Sequence, residues 1–266
     1  MSRFWGQNLV IDGSRIKEQF EDPIALMLPP GQDPPLVTNE TSNPNAAQYE
    51  SATQDVMRKI AQTQVGAILV QRINARTQRT LTIRPLNQKA LGLTGAIWAN
   101  PVNAKLLGVG SDVTIWFDPG TWGSAAAKSV VDRANHFRAD DVLFHELVHA
   151  ARGMLGLIES DRIVRWDTIE DLIAIMLTNI YLSSNNRGGD MRGDHDRIFH
   201  ELPHSLLRPA ERESDQAFYL QNSTYIDKLC QKMPDLCGPI SAIQCSWNPL
   251  AARLAYQSAV SRMFTP

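Results

Sequence analysis

The sequence lacks features that mark several specialised classes of protein. Its 266 residues contain no uninterrupted apolar run of about 18 residues, the length that predicts a transmembrane helix. The first residues, Met1 to Gln7, lack the apolar core of a secretory signal. The sequence therefore predicts a soluble protein made in the cytoplasm, without membrane insertion. Secretion by a bacterial route that needs no cleaved signal stays open.

An excess of basic charge is also missing. The chain carries 26 lysines and arginines against 28 aspartates and glutamates, for a net charge of -2. Nucleic acids and anionic membrane surfaces bind basic faces, so neither is an expected partner. With 43% hydrophobic residues, the composition is that of an ordinary globular protein that can bury a core.

Cysteine is scarce. The three cysteines are Cys230, Cys237 and Cys245, and no two of them stand in a C-x-x-C pair. An odd number without such a pair argues against a disulfide framework and against a thiolate zinc site. We expect separate buried or surface thiols, with a single disulfide between two of them as the lesser alternative.

The N-terminal part of the sequence is rich in proline, asparagine and glycine. Residues 29–48 include Pro-Pro-Gly and a second Pro-Pro pair followed by a polar run, which predicts an exposed linker. Residues 1–28 are interpreted as an extension with a short strand at 8–12. The predicted organisation is an extension and flexible linker over 1–48, then a single catalytic domain over 49–266.

Patterning predicts strands first and helices later, which indicates an α+β domain. Alternating residues favour strands at 80–85 and 112–118, and helical spacing favours helices at 46–62 and 65–75. A helix is expected at 140–155, capped by Asp140 or Asp141, and another at 168–182, which opens on the capping-box-like Thr168 to Asp171. A polar loop follows at 184–196, and the remainder is expected to be helical with breaks near Pro209, Pro234 and Gly238-Pro239.

The chemically informative motif is His-Glu-Leu-Val-His at residues 145–149. On a helix, His145 and His149 lie one turn apart on the same face, where two imidazoles can bind one zinc ion. Glu146 projects about 100° away around the helix, placed to take a proton from a water that zinc activates. The flanking apolar residues favour the helix that this chemistry needs. Two histidines packed in a core are the plain alternative.

A catalytic zinc site needs a third protein ligand. A histidine six residues after the second histidine of the motif is excluded, because Leu155 occupies that position and Arg152 replaces the glycine that precedes it in that pattern. Glu170 is the favoured third ligand, since 21 residues beyond His149 leave room for a turn and a returning helix. The alternatives are Asp171, Glu159, His195, His200 and His204.

An oxyanion in the transition state needs a hydrogen-bond donor. Tyr181, three turns beyond Glu170, is one candidate, and His195 between two aspartates is the other. A half-buried packing tyrosine and a solvated loop histidine are their plain alternatives. Arg192 could bind a substrate carboxylate but is interpreted as a surface arginine. The strand at 112–118 could offer an edge to an extended peptide, or it could be a core strand.

The chain resembles the NleD-type effector metallopeptidases, bacterial zinc endopeptidases that are injected into host cells. The resemblance spans roughly residues 50–205 and is carried by 145–149, 166–174 and 178–181, with 63–69 and 81–85 upstream. It implies a zincin-like metallopeptidase domain, with the active-site helix beside a small sheet and a helical C-terminal part. It also implies a gluzincin arrangement, in which His145, His149 and Glu170 bind Zn²⁺ and Glu146 is the base. The segment after Tyr181 departs from the family pattern.

Three functions follow from these observations. The first is a zinc metalloendopeptidase acting on a protein or peptide, as a secreted effector or toxin. The second is a zinc hydrolase of another amide, such as a cell-wall peptide. The third is a catalytically silent protein that uses the fold to bind a partner, against which the intact Glu146 argues.

Overall fold

The protein has a mixed α+β fold. A computed structural model describes residues 3–18, 39–75, 78–86, 94–120, 122, 138–163, 166–192 and 214–263. Within these residues, no helix is long and apolar enough to cross a membrane. Of the linker predicted at 29–48, residues 29–38 lie outside the described residues, as do Pro209 and the histidines at 195, 200 and 204. The prediction is wrong for the described part, because Asn39–Ser42 form a strand and a helix begins at Ala46.

The strands form one five-stranded sheet and two small hairpins. The strands are β1 (Arg3–Phe4), β2 (Leu9–Ile11), β3 (Arg15–Glu18), β4 (Asn39–Ser42), β5 (Leu81–Pro85), β6 (Gly95–Trp98), β7 (Val113–Phe117), β8 (Arg162–Ile163) and β9 (Asp167–Thr168). The large sheet has the order β1-β2-β5-β7-β6, with β2, β5 and β7 parallel and both edge strands antiparallel. The predicted N-terminal extension thus contributes β1 and β2 to this sheet.

Strand β7 lies inside the sheet, with β5 on one side and β6 on the other. The sequence interpretation of residues 112–118 as a core strand is therefore the right one, and β6 forms the edge. Three of the five β5 residues are buried in strict alternation, which confirms the strand predicted at 80–85. Strand β6 was not predicted from sequence, because Gly-Ala-Ile-Trp shows no alternation of polar and apolar residues.

Seven α-helices occur in the described part of the chain. They are α1 (Ala46–Ala61), α2 (Gln64–Asn74), α3 (Ala139–Leu155), α4 (Ile169–Ser184), α5 (Asp215–Lys232), α6 (Pro234–Ser241) and α7 (Pro249–Met263). The predictions for α1 to α4 are confirmed within one or two residues. The Thr63 side chain caps α2 by accepting a hydrogen bond from the Gly66 N–H.

Helix α3 is buried along nearly its whole length. It packs on β6 and β7 on one side and against α1, α2 and α4 on the others, so every residue from Asp141 to Leu155 is buried. The helix ends at Gly156, whose φ of 74° suits glycine. The prediction that Asp140 or Asp141 caps α3 is wrong. Both lie in the first turn, and the Asp141 carboxylate accepts from the Arg138 N–H outside the helix.

The connection from α3 to α4 fixes the start of α4. Strands β8 and β9 form a hairpin, and Thr168 then caps α4 by accepting from the Asp171 N–H. The N–H groups of Ile169 and Glu170 donate to the carbonyls of Asp161 and Glu159. These bonds satisfy the first amides of the helix and hold its N-terminus against the segment that follows α3.

Helices α5, α6 and α7 pack on one another as a C-terminal layer, and α6 also contacts α2. The predicted break at Pro234 is confirmed, since α5 ends at Lys232 and α6 begins at Pro234. The predicted break at Gly238-Pro239 is wrong, because both residues lie inside α6. Pro239 deprives only the Asp235 carbonyl of its helical partner, and Asp235 is exposed, so water can satisfy that group.

Candidate metal centre

The two motif histidines converge inside the protein. His145 is 3% exposed and His149 is 9% exposed. Their Nε2 atoms are 3.1 Å apart, and the rings meet edge to face at 4.7 Å between centroids. Two nitrogen ligands on a tetrahedral zinc ion are separated by about 3.4 Å, given metal–nitrogen bonds of about 2.1 Å. The pair thus stands close to the spacing that zinc requires.

Asp171 completes a group of three possible ligands. Its Oδ1 lies 3.7 Å from the Nε2 of His149. The ligand atoms of His145, His149 and Asp171 all lie within 4.8 Å of one another. Among the described residues, these three form a group of side chains that could hold a metal ion. The other carboxylate oxygen, Oδ2, accepts a hydrogen bond of 2.5 Å from the Thr168 hydroxyl. The helix cap therefore orients the carboxylate so that its Oδ1 faces His149.

Glu170 contacts His149 from the opposite edge of the imidazole ring. Its Oε1 lies 3.3 Å from Nδ1 of His149, whereas His145 and Asp171 meet Nε2. The guanidinium of Arg152 donates from Nε to both Glu170 oxygens at 2.9 Å. The Glu159 N–H also donates to Oε2 at 3.3 Å. The structure thus does not bring Glu170 into the ligand group, although it was the third ligand expected from sequence.

Nearby charges and hydrogen bonds shift the pKa values of Glu170 and His149 in opposite directions. Burial works to raise the pKa of Glu170, but the charge of Arg152 and the contact with His149 outweigh it and lower the pKa. Burial works to lower the pKa of His149, but the hydrogen bond to Glu170 and the nearby carboxylates raise it. Glu170 is therefore an ionised acceptor that favours a proton on Nδ1 of His149 and leaves Nε2 as the metal-facing atom.

Glu146 lies beside the histidines and under the edge of the sheet. It is 8% exposed, and its carboxylate accepts a hydrogen bond from the backbone N–H of Ala96 in β6. Burial raises its pKa to about 7, although His149, Arg192 and the Ala96 N–H each oppose that rise. A carboxyl with a pKa near neutrality is suited to exchange protons during catalysis.

Arg192 is buried, contrary to the surface position expected from sequence. It is 6% exposed, and its backbone is held by the Asn179 side chain, which donates to its carbonyl at 2.9 Å and accepts from its N–H at 2.8 Å. Burial lowers the pKa of its guanidinium to about 10, while the charges of Asp141 and Glu146 act against that shift. The signal in the sequence is Asn179, an amide side chain in a mostly apolar helix.

The structure holds Tyr181 away from the histidine pair. Its hydroxyl donates to the Asp140 carboxylate at 2.9 Å, and its ring stacks on Phe144 at 4.4 Å between centroids. Arg187 in turn donates to both Asp140 and Asp141, so the tyrosine belongs to a network at the start of α3. The structure shows a packing contact and gives the predicted oxyanion role no support.

The remaining alternative ligands are placed elsewhere or fall outside the description. Glu159 forms an ion pair with Lys228 and approaches Arg152 at 3.8 Å, behind the site. His195, the second oxyanion candidate, and the histidines at 200 and 204 lie outside the described residues. Sequence reasoning missed Arg152 and the β6 backbone, because their roles depend on which helix faces meet.

Two imidazoles, a carboxylate and a neighbouring proton acceptor are thus assembled on α3 and α4. Such a donor set suits a zinc ion with one position left for a water or a substrate. Comparison with models of known protein families and with curated proteins finds no match to this chain. The assignment of a metal centre therefore depends on the donor atoms and their geometry.

Proposed function

We propose that the protein is a zinc-dependent hydrolase, and specifically a metallopeptidase with a zincin-like arrangement of its active-site helix. The observation that carries this proposal is the convergence of His145, His149 and Asp171 directly beside Glu146. Two histidines and one carboxylate form a known type of catalytic zinc site. A core pair of histidines needs no buried carboxylic acid next to it, whereas a hydrolase does.

We assign Asp171 rather than Glu170 as the third ligand. Asp171 approaches the metal-facing Nε2 of His149, and Glu170 approaches Nδ1 on the far edge of the ring. A metal-bound histidine commonly donates its other N–H to a carboxylate, which orients the ring and raises its basicity. Glu170 would supply that carboxylate, held in place by Arg152.

The chain's own groups suit the hydrolysis of an amide. A zinc ion bound there would polarise the carbonyl and make a water molecule more acidic. Glu146 accepts the proton from the attacking water and transfers it to the leaving amine. The Ala96 N–H holds the Glu146 carboxylate toward β6, and the buried charge of Arg192 helps to keep that carboxylate ionised until it receives the proton.

The edge strand β6 supports a peptide or protein as substrate. Within the described residues, β6 pairs only with β7, so its other edge faces the side on which Ala96 meets Glu146. An extended peptide can add to such an edge through main-chain hydrogen bonds, independently of its sequence. This would bring a backbone carbonyl next to the base. Delivery into host cells as an effector or toxin is a further prediction, and it depends on the family resemblance alone.

The test is hydrolysis by purified, zinc-loaded protein of a mixture of internally quenched peptides. We expect cleavage by the wild type and a rate at least about 10²-fold lower for Glu146→Gln, with zinc retained. Glu50→Gln is a matched control, because Glu50 is also buried but accepts from the Gly13 N–H and is not among the grouped possible ligands. Equal cleavage by wild type and Glu146→Gln would overturn the proposed role of the base.

A further inference from the structure

Glu159 is bonded to Glu170 through both of its main-chain groups. It lies between the end of α3 and strand β8. Its N–H donates to Oε2 of Glu170 at 3.3 Å, and its carbonyl accepts from the Glu170 N–H at 3.0 Å. The first bond holds the carboxylate that meets His149, and the second holds the backbone from which that carboxylate projects. Glu159 therefore fixes the Glu170 side chain at both of its ends.

The side chain of Glu159 lies between two cations. Its Oε1 approaches the Arg152 guanidinium at 3.8 Å, and its Oε2 accepts a hydrogen bond from Nζ of Lys228. The Glu159 side chain is mostly buried, and that of Arg152 is almost completely buried. Charges that are withdrawn from water are screened less than charges in the solvent. The two cations thus hold the Glu159 carboxylate in place from opposite partners.

Lys228 belongs to a different layer of the fold. It lies in the last two turns of α5, which packs on α4. Its contact with Glu159 extends the ion pair behind the candidate metal ligands to the C-terminal helices. The resulting path of direct contacts runs, in order, through Lys228, Glu159, Arg152, Glu170 and His149.

We propose that Glu159 is a positioning residue of the metal centre and that Lys228 makes zinc affinity depend on the docking of α5. This inference rests on the proposed function. Without Lys228, the Glu159 carboxylate loses the partner that ties it to α5, and it holds Arg152 and Glu170 less firmly. A carboxylate that orients a ligating histidine contributes to metal affinity. Zinc is therefore bound less tightly, although every ligand atom is still present.

The neighbouring residue Asp227 provides a matched control. It also lies in α5, and its side chain and that of Lys228 are both 44% exposed. Asp227 accepts a hydrogen bond of 2.6 Å from Nε of Arg253 in α7, so this pair joins two helices of the C-terminal layer. Its loss tests a general loosening of α5 and leaves the path to His149 intact.

The test is the zinc affinity of the full-length variants, measured by competition with a chromogenic chelator. Lys228→Met should raise the Kd for zinc by about 2–5-fold, the range expected for one exposed ion pair. Lys228→Arg keeps the charge and should restore the wild-type Kd. Glu159→Gln should raise the Kd by about 10-fold, because the bridge between the two cations is lost. Asp227→Asn should leave the Kd unchanged.

A double-mutant cycle separates positioning from general stability. In the Glu170→Gln background, Lys228→Met should change the Kd by less than about 1.5-fold, because the path to His149 is already broken. A full additional effect of Lys228→Met in that background, or an equal effect of Asp227→Asn on the wild type, would overturn the proposal. Zinc binding by the wild type with an unchanged Kd in Lys228→Met would refute this inference alone. A wild type that binds no zinc would refute the metal centre as well.

Discussion

Arg152 and Glu170 form a buried ion pair in which one nitrogen lies 2.9 Å from both carboxylate oxygens. Their side chains are only 1% and 4% exposed. The Oε1 atom of Glu170 also contacts Nδ1 of His149, and Arg152 also donates to the Leu157 carbonyl at 2.6 Å. The end of α3 and the start of α4 are thereby joined directly behind the candidate metal ligands.

Removal of the Arg152 charge should affect both stability and metal binding. Arg152→Met leaves Glu170 buried without its cation, so we expect the free energy of unfolding to fall by about 3–5 kcal/mol. Zinc affinity should fall by about 10–100-fold as His149 loses its orientation. Urea denaturation of the metal-free protein and zinc titration measure these effects. Arg58→Met, at the exposed pair with Asp55, is the control and should change stability by less than about 0.5 kcal/mol.

The two adjacent acidic residues of α4 should differ in their effect on zinc. Asp171→Asn should abolish stoichiometric binding, because a ligand is lost. Glu170→Gln should still bind zinc, with affinity lower by about 10–100-fold. The exposed Asp167, with φ 62°, offers the control Asp167→Asn, since asparagine tolerates that conformation. Stoichiometric zinc in Asp171→Asn together with its loss in Glu170→Gln would restore Glu170 as the ligand.

The hydroxyl of Tyr181 should matter for stability and not for turnover. Tyr181→Phe loses the hydrogen bond to Asp140 and should reduce the free energy of unfolding by about 0.5–1.5 kcal/mol. An oxyanion donor would instead contribute about 10²–10³-fold to kcat. Urea denaturation and peptide hydrolysis by the zinc-loaded variant distinguish these roles. A fall in kcat of about 10²–10³-fold would show that Tyr181 has a catalytic role.

Gly153 permits β6 to approach the active-site helix. A Cβ at this position would lie 2.2 Å from Nε1 of Trp98, so Gly153→Ala must displace the indole or the strand. We expect a loss of about 1–3 kcal/mol in unfolding free energy. At Gly238 of α6 no side chain or neighbouring element lies within 4 Å of the added carbon. The helix propensity gained by Gly238→Ala is opposed by crowding from the following Pro239, so this variant should change the unfolding free energy by less than about 1 kcal/mol. Equal changes in the two variants would contradict this packing.

Much of the local structure follows from short stretches of sequence. The apolar spacing of α3, its glycine at 156 and the Thr168 cap of α4 are properties of a few neighbouring residues. The motif itself places His145 and His149 on one helix face. For these reasons, the helix pair and the α+β class were predictable without knowledge of tertiary contacts.

The identity of the third ligand was not predictable in the same way. Glu170 and Asp171 point about 100° apart around α4, so the rotation of that helix decides which one meets Nε2 of His149. That rotation is set by β8–β9, by the Thr168 cap and by Arg152. The sequence showed Arg152 only as a departure from a known pattern. Its ion pair with Glu170 depends on how α3 packs against α4 and cannot be deduced from the sequence.

We propose that this chain binds one catalytic zinc ion through its motif histidines. Elemental mass spectrometry of zinc-loaded, desalted protein tests it directly, with circular dichroism to verify folding. About one zinc per wild-type chain, lost in a folded His149→Ala variant, is the predicted result. A wild type without zinc, or zinc retained in both His145→Ala and His149→Ala, would contradict the metal centre.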